Sequence, residues 1–337
     1  MFGVNNSSVC VVTVTYGNRK DLLLQMVEGV HVQGVTRFVV VNNGAQWGVD
    51  GLRAIFSSLD VEVVDMGANR GSAEGFGAGI KRALDRGAEF IWLMDDDNMP
   101  HAQCLQALFD VYEQEQVATP RDSLAVLAFR PEHQADVAAG VSEERINPRP
   151  NSFRGFHLLD IPFKIWRRTP WGRPQQLDEM PRTILVHEGP YSGLLFHRSL
   201  IHSIGLPNPD FVLYADDNEF TYRITQRGGR ILLVTSARID DLEASWSIKG
   251  RFANSFAAQL CGIGDFRAFY GMRNGVYFDT ISRKRNSVFF WINRTLYMIL
   301  LFMFSCLYKK PERYRILCEA VRDGLACRLG FHTRFPL

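Results

Sequence analysis

Three consecutive carboxylates, Asp95-Asp96-Asp97, follow the apolar run Phe90-Ile91-Trp92-Leu93-Met94 and lead into Asn98. A run of that length and composition reads as a buried strand. Three like charges at its end repel one another and suit neither a core nor a strand. They fit the C-terminal edge of a parallel sheet, where open α/β folds hold their ligands. Clustered carboxylate oxygens suit a hard divalent cation such as Mg²⁺ or Mn²⁺. For the triplet alone, a solvated acidic turn is the competing reading; the apolar lead-in and the flanking sequence weigh against it.

Three more stretches carry candidate chemistry. Ala68-Asn69-Arg70-Gly71-Ser72-Ala73-Glu74-Gly75-Phe76-Gly77-Ala78-Gly79 is a glycine-dense loop entering a helix. Glycines let backbone N–H groups approach an anion, and a helix N-terminus favours negative charge; a purely structural turn has the same composition. It is not a Walker A loop, because no Gly-Lys-Ser/Thr follows. Thr15-Tyr16-Gly17-Asn18-Arg19 adds polar groups at the exit of an earlier strand, and a nucleotide is the natural occupant. Tyr214-Ala215-Asp216-Asp217-Asn218-Glu219-Phe220 offers a general base, which must come within hydrogen-bond reach of the proton it removes. Asp216 also suits the N-cap of the following helix, leaving Asp217 to face the site. Asp240-Asp241 sits where a third metal ligand could originate, although a solvated loop explains that pair as well.

These residues need a frame. Val9–Thr15, Thr36–Val41, Val61–Val64, Phe90–Met94 and Arg230–Val234 read as strands, with helical stretches at 21–27, 71–86 and 216–226. Strands alternating with helices imply βαβ units and a mostly parallel sheet. Seven prolines between Pro131 and Pro181 interrupt any long element there, so 131–183 is expected as loops and short strands around a site.

The chain has 337 residues, 46% hydrophobic and 22% charged, which fits a globular protein with a substantial core. Its net charge of +2 hides an asymmetry: 15 Lys/Arg stand against 5 Asp/Glu from Trp246 onward, and 23 against 31 before it. Such a tail is expected to meet something anionic, a membrane face or nucleic acid. Thr295–Tyr308 is uncharged, but 14 residues span about 21 Å, short of the roughly 30 Å hydrocarbon core. With Arg283-Lys284-Arg285 before it and Lys309-Lys310 after it, it reads as a membrane-surface helix; a buried helix or an oligomer contact is the alternative. Six cysteines without CxxC spacing imply reduced, buried thiols of a cytosolic protein, and the N-terminus lacks the pattern of a secretory signal.

Taken in order, Thr15-Tyr16 with Arg19, Val40-Val41-Asn42-Asn43, Asn69-Arg-Gly-Ser-Ala-Glu-Gly-Phe, Trp92-Leu-Met-Asp-Asp-Asp, Gly193-Leu-Leu-Phe with Ile204-Gly-Leu-Pro, and Asp216-Asp217-Asn-Glu-Phe resemble an inverting family 2 glycosyltransferase. The likeness is greatest to galactofuranosyltransferases and related rhamnosyltransferases of bacterial envelope polysaccharide synthesis. It covers roughly residues 9 to 250, extended by Tyr270-Gly-Met-Arg273-Asn274 and Asp323–Gly330. The resemblance implies a GT-A (Rossmann-like) α/β fold with a helical C-terminal extension. It divides the chain into a catalytic domain, 1–250, and a basic helical region, 251–337.

It also implies roles. Asp95 and Asp97 would hold the Mn²⁺ or Mg²⁺ that bridges the donor diphosphate, and Asp217 would be the base. The family's usual histidine ligand is replaced by Ile239-Asp240-Asp241-Leu242, so Asp241 is the expected substitute. Thr15, Tyr16, Arg19, Asn43, Asn69, Gly71, Ser72 and Asp96 would bind the nucleotide sugar, although Asn42-Asn43 stands where family members commonly show Asp. Asp216, Trp246 and Tyr191 would meet the acceptor. The implied reaction moves galactofuranose from UDP-galactofuranose to a lipid-linked glycan at the inner face of the cytoplasmic membrane. No nucleic-acid partner is expected, and a homo-oligomer is open. Rhamnosyl transfer from dTDP-rhamnose is the nearest alternative. A nucleotidyltransferase using Arg70, or a non-catalytic sugar-nucleotide-binding protein, is the alternative from another class.

Overall fold

The computed structural model describes residues 8–138, 140–167, 169–172, 180–243, 252 and 254–337. Two compact units divide it. The first comprises residues 1–134, 181–212 and 216–243; the second comprises 135–180, 213–215 and 244–337.

The first unit is built on a nine-stranded mixed sheet. Its strands are β1 (Val9–Gly17), β2 (Arg37–Ala45), β3 (Asp60–Asp65), β4 (Phe90–Leu93), β5 (Asn98–Pro100), β6 (Leu124–Phe129), β7 (Thr183–Val186), β8 (Leu194–His197) and β9 (Arg230–Asp241). The order is β3-β2-β1-β4-β8-β6-β9, with β7 and β5 pairing along different parts of β9. The β3-β2-β1-β4 half is parallel, as the alternation of strands and helices predicts. The other half departs from it: β8 runs antiparallel between β4 and β6. All five strands expected from sequence are present.

β1 and β4 are central, and seven successive residues of β1 and all four of β4 are buried. That explains their unbroken apolar character, since both faces of the sheet are covered. Helix α1 (Lys20–His31) contributes Leu23, Met26, Val27 and Val30 to the core. On α2 (Ser72–Asp85), a Cβ at Gly79 would lie 2.4 Å from Val12 Cγ1. That glycine of the dense run therefore serves helix-on-strand packing, not anion binding; overfilling such a contact costs about 1–3 kcal/mol. The parallel strands point their C-terminal ends toward one edge, where Tyr16, Asn43 and the Asp95–Asp97 triplet emerge.

The second unit gathers α5 (Ser255–Cys261), α6 (Asp265–Ser282), α7 (Ser287–Leu307) and α8 (Pro311–Leu325), numbered after α3 (Cys104–Glu115) and α4 (Asp216–Gln226) of the first. It also takes in 135–180, which a division at residue 250 assigns to the catalytic domain. Side chains of the C-terminal helices explain why. Asn293 on α7 donates to Asn151 O at 2.8 Å and accepts from Leu158 N at 2.9 Å, while Asp279 on α6 accepts from Arg154 N at 2.6 Å. The same bonds correct the expected helix start at Thr295. With Asn293 satisfied, α7 runs 21 residues from Ser287 and is long and apolar enough to cross a bilayer by length and composition.

All six cysteines are unpaired, but only Cys10 and Cys104 are buried. Cys261, Cys306 and Cys327 are exposed, which corrects the expectation of buried thiols at those positions.

Candidate active site

The triplet splits into three roles because its backbone turns sharply after β4. Asp96 points inward, 3% exposed, and its two oxygens accept from Arg19 Nε at 2.8 and 3.0 Å. Arg19 Nη2 also donates to Asp97 at 2.8 Å, and Nη1 reaches Glu243. Arg19, placed by the turn between β1 and α1, thus clamps the triplet to the end of β9. Its guanidinium lies 5.2 Å from the Tyr16 ring. Thr15, fully buried beside Asp96, forms part of the floor beneath it.

Asp95 remains partly exposed and faces Arg130 Nη1 at 3.6 Å. Burial raises its carboxyl to about 6; Arg130 opposes the rise, and the charges of Asp97, Asp217 and Asp241 add to it. Asp97 is raised as well, by burial and against the pull of Arg19. The charge of Asp217, at the start of α4, thus acts on Asp95, just past the end of β4. Burial also raises Asp217, and the adjoining Asp216 charge raises it further. Asp217 Oδ1 accepts from Asn218 N at 2.8 Å.

The glycine-rich loop is braced from within. Asn43 Nδ2 donates to Asn69 Oδ1 and Gly71 O at 3.1 Å each, and Asn43 Oδ1 accepts from Arg70 N at 2.9 Å. Asn69 Oδ1 accepts from Gly71 N at 3.0 Å. Gly71 has φ +89°, and a Cβ there would sit 1.9 Å from Val212 O, so only glycine fits. These residues hold the loop that presents the N-terminus of α2. Ser72 Oγ, at that terminus, donates to Asp216 Oδ2 at 2.8 Å. Asp216 itself is 2% exposed, which leaves Asp217 as the more accessible of the pair.

Two expected residues take other places. Asp241 is not an open metal ligand: its oxygens accept from Arg130 Nη2, Asn98 Nδ2 at 3.0 Å and His133 Nε2 at 3.1 Å. Burial would raise it, but His133 and Arg130 outweigh that and hold it below the usual aspartate value. Tyr191 does not offer a face to a sugar. It is 4% exposed and packed against Phe76, at a centroid distance of 4.4 Å, and Phe220, at 5.8 Å; its hydroxyl end lies beside Asp216. Trp246 lies outside the described residues.

Sequence reading missed Arg130, Asn98 and His133. Asn98 is fully buried, accepts from Asp95 N at 2.9 Å and donates to Asp241, tying β4 to β9. Arg130 carried a usable signal: it follows the apolar strand β6 directly, as Asp95 follows the apolar run Phe90–Met94. His133 had none, since a histidine three residues on in a proline-flanked turn is unremarkable. The turn before Asp216 was also illegible. Val212, Tyr214 and Ala215 have φ of +63°, +68° and +60°, a left-handed region costly for such side chains.

A divalent cation fits the chemistry of this edge in part. Asp95, Asp96, Asp97, Asp216, Asp217 and Asp241 are six carboxylates against the two guanidiniums of Arg19 and Arg130, and all but Asp241 are held above the usual aspartate value by burial. Hard oxygen donors are therefore in excess. Among the described residues, however, no three His, Cys, Asp or Glu side chains converge as a complete ligand set. Asp95 and Asp97 are the two donors that fit.

Residues 10–165 match the model of Glycosyl transferase family 2. Just under half of the chain is thus similar to that family. It is also similar to the low-salt glycan biosynthesis hexosyltransferase Agl10 of Haloferax volcanii, 23% identical over 254 residues that cover 75% of this chain and 72% of that protein. The fold of this glycosyltransferase is GT-A-like. It resembles the crystal structure of GalNAc-T7 with UDP, GalNAc and Mn²⁺ at a TM-score of 0.52 and 13% identity, over 82% of this chain. The matched part spans about half of GalNAc-T7, 48% of its chain. The mannosyltransferase PcManGT of Pyrobaculum calidifontis, in complex with GDP-Man and Mn²⁺, gives a TM-score of 0.50 at 15% identity, over 96% of this chain and 76% of that one.

Proposed function

We infer that the protein is a metal-dependent, inverting hexosyltransferase. It moves galactofuranose from UDP-galactofuranose to a glycan carried on a lipid, at the cytoplasmic face of the membrane. The observation that carries this reading is that the charge of Asp217, at the start of α4, acts on Asp95, which with Asp97 follows the end of β4. Two carboxylate roles are thereby available at one edge of one sheet.

Asp95 and Asp97 would hold the cation, which when bound supplies Lewis-acid neutralisation of the departing diphosphate. Asp217 accepts the proton of the acceptor hydroxyl as its oxygen bonds to the anomeric carbon. The bond from that carbon to the diphosphate breaks, and the diphosphate leaves with the electron pair. Arg19 keeps Asp97 oriented, and the braced loop at Asn43, Asn69 and Gly71 directs the N-terminus of α2 toward the anionic donor.

Similarity supports the donor class. Two proteins of like fold are seen with UDP or GDP-Man together with Mn²⁺. The Asp95-Asp96-Asp97 triplet favours galactofuranose by resemblance, with dTDP-rhamnose as the neighbouring choice. Arg70 weighs against nucleotidyl transfer. It is turned back on its own segment, with Nη1 3.5 Å from Glu74 and Nε donating to Met66 O at 3.2 Å.

A donor screen tests the reading. The purified chain is given UDP-galactofuranose, UDP-galactose, dTDP-rhamnose and GDP-mannose with Mn²⁺ and a lipid-linked glycan. Expected are UDP release from the galactofuranose donor, loss of release in EDTA, recovery with Mn²⁺, and an inverted anomeric centre by NMR. Release of pyrophosphate, or no release from any donor, overturns it.

A further inference from the structure

We propose that one face of α7 is a membrane-surface docking face for anionic lipid, with the helix lying in the plane of the bilayer interface. The proposal extends the lipid-linked-acceptor reading. Its test nevertheless reads membrane binding separately from donor turnover.

Opposite sides of α7 behave differently. Phe290, Asn293, Tyr297, Leu301 and Ser305 are buried. Tyr297 packs on Phe153 at 5.4 Å and on Phe256 at 5.1 Å, and Phe256 stacks on Phe304 at 5.1 Å. The other side is apolar and open: Phe289, Ile292, Ile299, Phe302, Met303 and Leu307 are 41–69% exposed. Their spacing places them along one helical stripe. A contiguous exposed apolar stripe of this kind marks an interaction surface.

Charge decides what covers it. Residues 280–311 contain no Asp or Glu, while Lys284-Arg285 precede the helix and Lys309-Lys310 follow it. A second copy of the chain is a poor occupant. Side by side in parallel, each basic end meets itself; antiparallel, Lys284-Arg285 meets Lys309-Lys310. Anionic headgroups instead neutralise both ends while the stripe enters the headgroup and acyl boundary by about 5–10 Å. Trp291, with the Arg294 guanidinium 4.1 Å from its ring, suits that boundary. Spanning the bilayer is disfavoured despite sufficient length, because Asn293 is bonded to Asn151 and Leu158 and crossing would draw that polar backbone into hydrocarbon.

Co-sedimentation of the full chain with vesicles tests the assignment, using phosphatidylcholine alone or mixed with phosphatidylglycerol. Wild type is expected to bind the anionic vesicles and to be released by salt. Lys309→Gln with Lys310→Gln should weaken binding about 25-fold, roughly fivefold per charge. Phe302→Glu with Met303→Glu should weaken it at least about tenfold while leaving thermal melting and donor-dependent nucleotide release in solution unchanged. Absence of binding by wild type, or binding by the stripe variant at wild-type strength, overturns the proposal. So does a concentration-dependent dimer that the stripe substitutions dissociate, which would make a second copy the occupant. Intact nucleotide release with failed vesicle binding sinks this proposal alone; failed release with intact binding sinks the transferase reading alone.

Discussion

Ser72 Oγ donates to Asp216 Oδ2 at 2.8 Å, joining residues 144 positions apart and tying the N-terminus of α2 to the first residue of α4. Because Asp216 is nearly inaccessible to water, no solvent replaces a lost donor. Ser72→Ala is expected to lower the unfolding free energy by about 1.5–3 kcal/mol, the range for a hydrogen bond to a charged group. Urea unfolding measures it. A variant as stable as wild type would show that the bond fixes nothing.

Asp217 is the residue assigned to proton removal. Asp217→Asn keeps the shape and deletes the base, so kcat/KM should fall about 10²- to 10⁴-fold, the usual worth of general-base catalysis. Donor binding, read by titration of UDP in the presence of Mn²⁺, should change little. Turnover close to wild type in this variant would remove Asp217 from the mechanism.

The Asp216–Asp217 pair also predicts a pH dependence. Burial raises Asp217, and the negative charge of Asp216 raises it further. A base works ionised, so activity should rise with pH as Asp217 loses its proton, and the acid limb of kcat/KM should lie above the ordinary aspartate value of about 3.9. Asp216→Asn removes the neighbouring charge, and the limb should then move to lower pH. Profiles of both proteins at one saturating Mn²⁺ concentration decide it; a limb that moves upward contradicts the coupling.

How far the sequence revealed this site depends on what kind of signal each residue left. β1, β2 and β4 were legible because central strands must be apolar on both faces, and Asp95–Asp97 because charge cannot continue such a run. The antiparallel insertion of β8 was not, since Leu194–His197 has the same apolar character whichever way it runs. Roles inferred from residue type alone fared less well. Tyr191 reads as a sugar-stacking ring, yet its surroundings, Phe76 and Phe220, come from distant positions that no local pattern exposes. Asp241 reads as a ligand, but its partners Arg130, His133 and Asn98 are set by the register of β9 against β6 and β5. The glycine run mixed two demands, close approach to Val212 at Gly71 and packing on Val12 at Gly79, which composition cannot separate.

Arg130 shows most directly how the unsignalled residues matter. Its side chain is 9% exposed and pairs with Asp95 at 3.6 Å and with Asp241. Arg130→Met keeps an apolar stem and leaves both carboxylates without that charge, which should cost about 3–5 kcal/mol near neutral pH. The sign with pH follows from Asp95. Its folded carboxyl already stands at about 6 with Arg130 present, and removing the guanidinium raises it further. A carboxyl whose folded pKa exceeds its unfolded value penalises the folded state when ionised, and protonation relieves the penalty. The deficit of Arg130→Met relative to wild type should therefore shrink as pH is lowered from about 8 to about 5. Urea unfolding of both proteins at the two pH values measures it, and a deficit that widened on acidification would mean that Arg130 does not compensate Asp95.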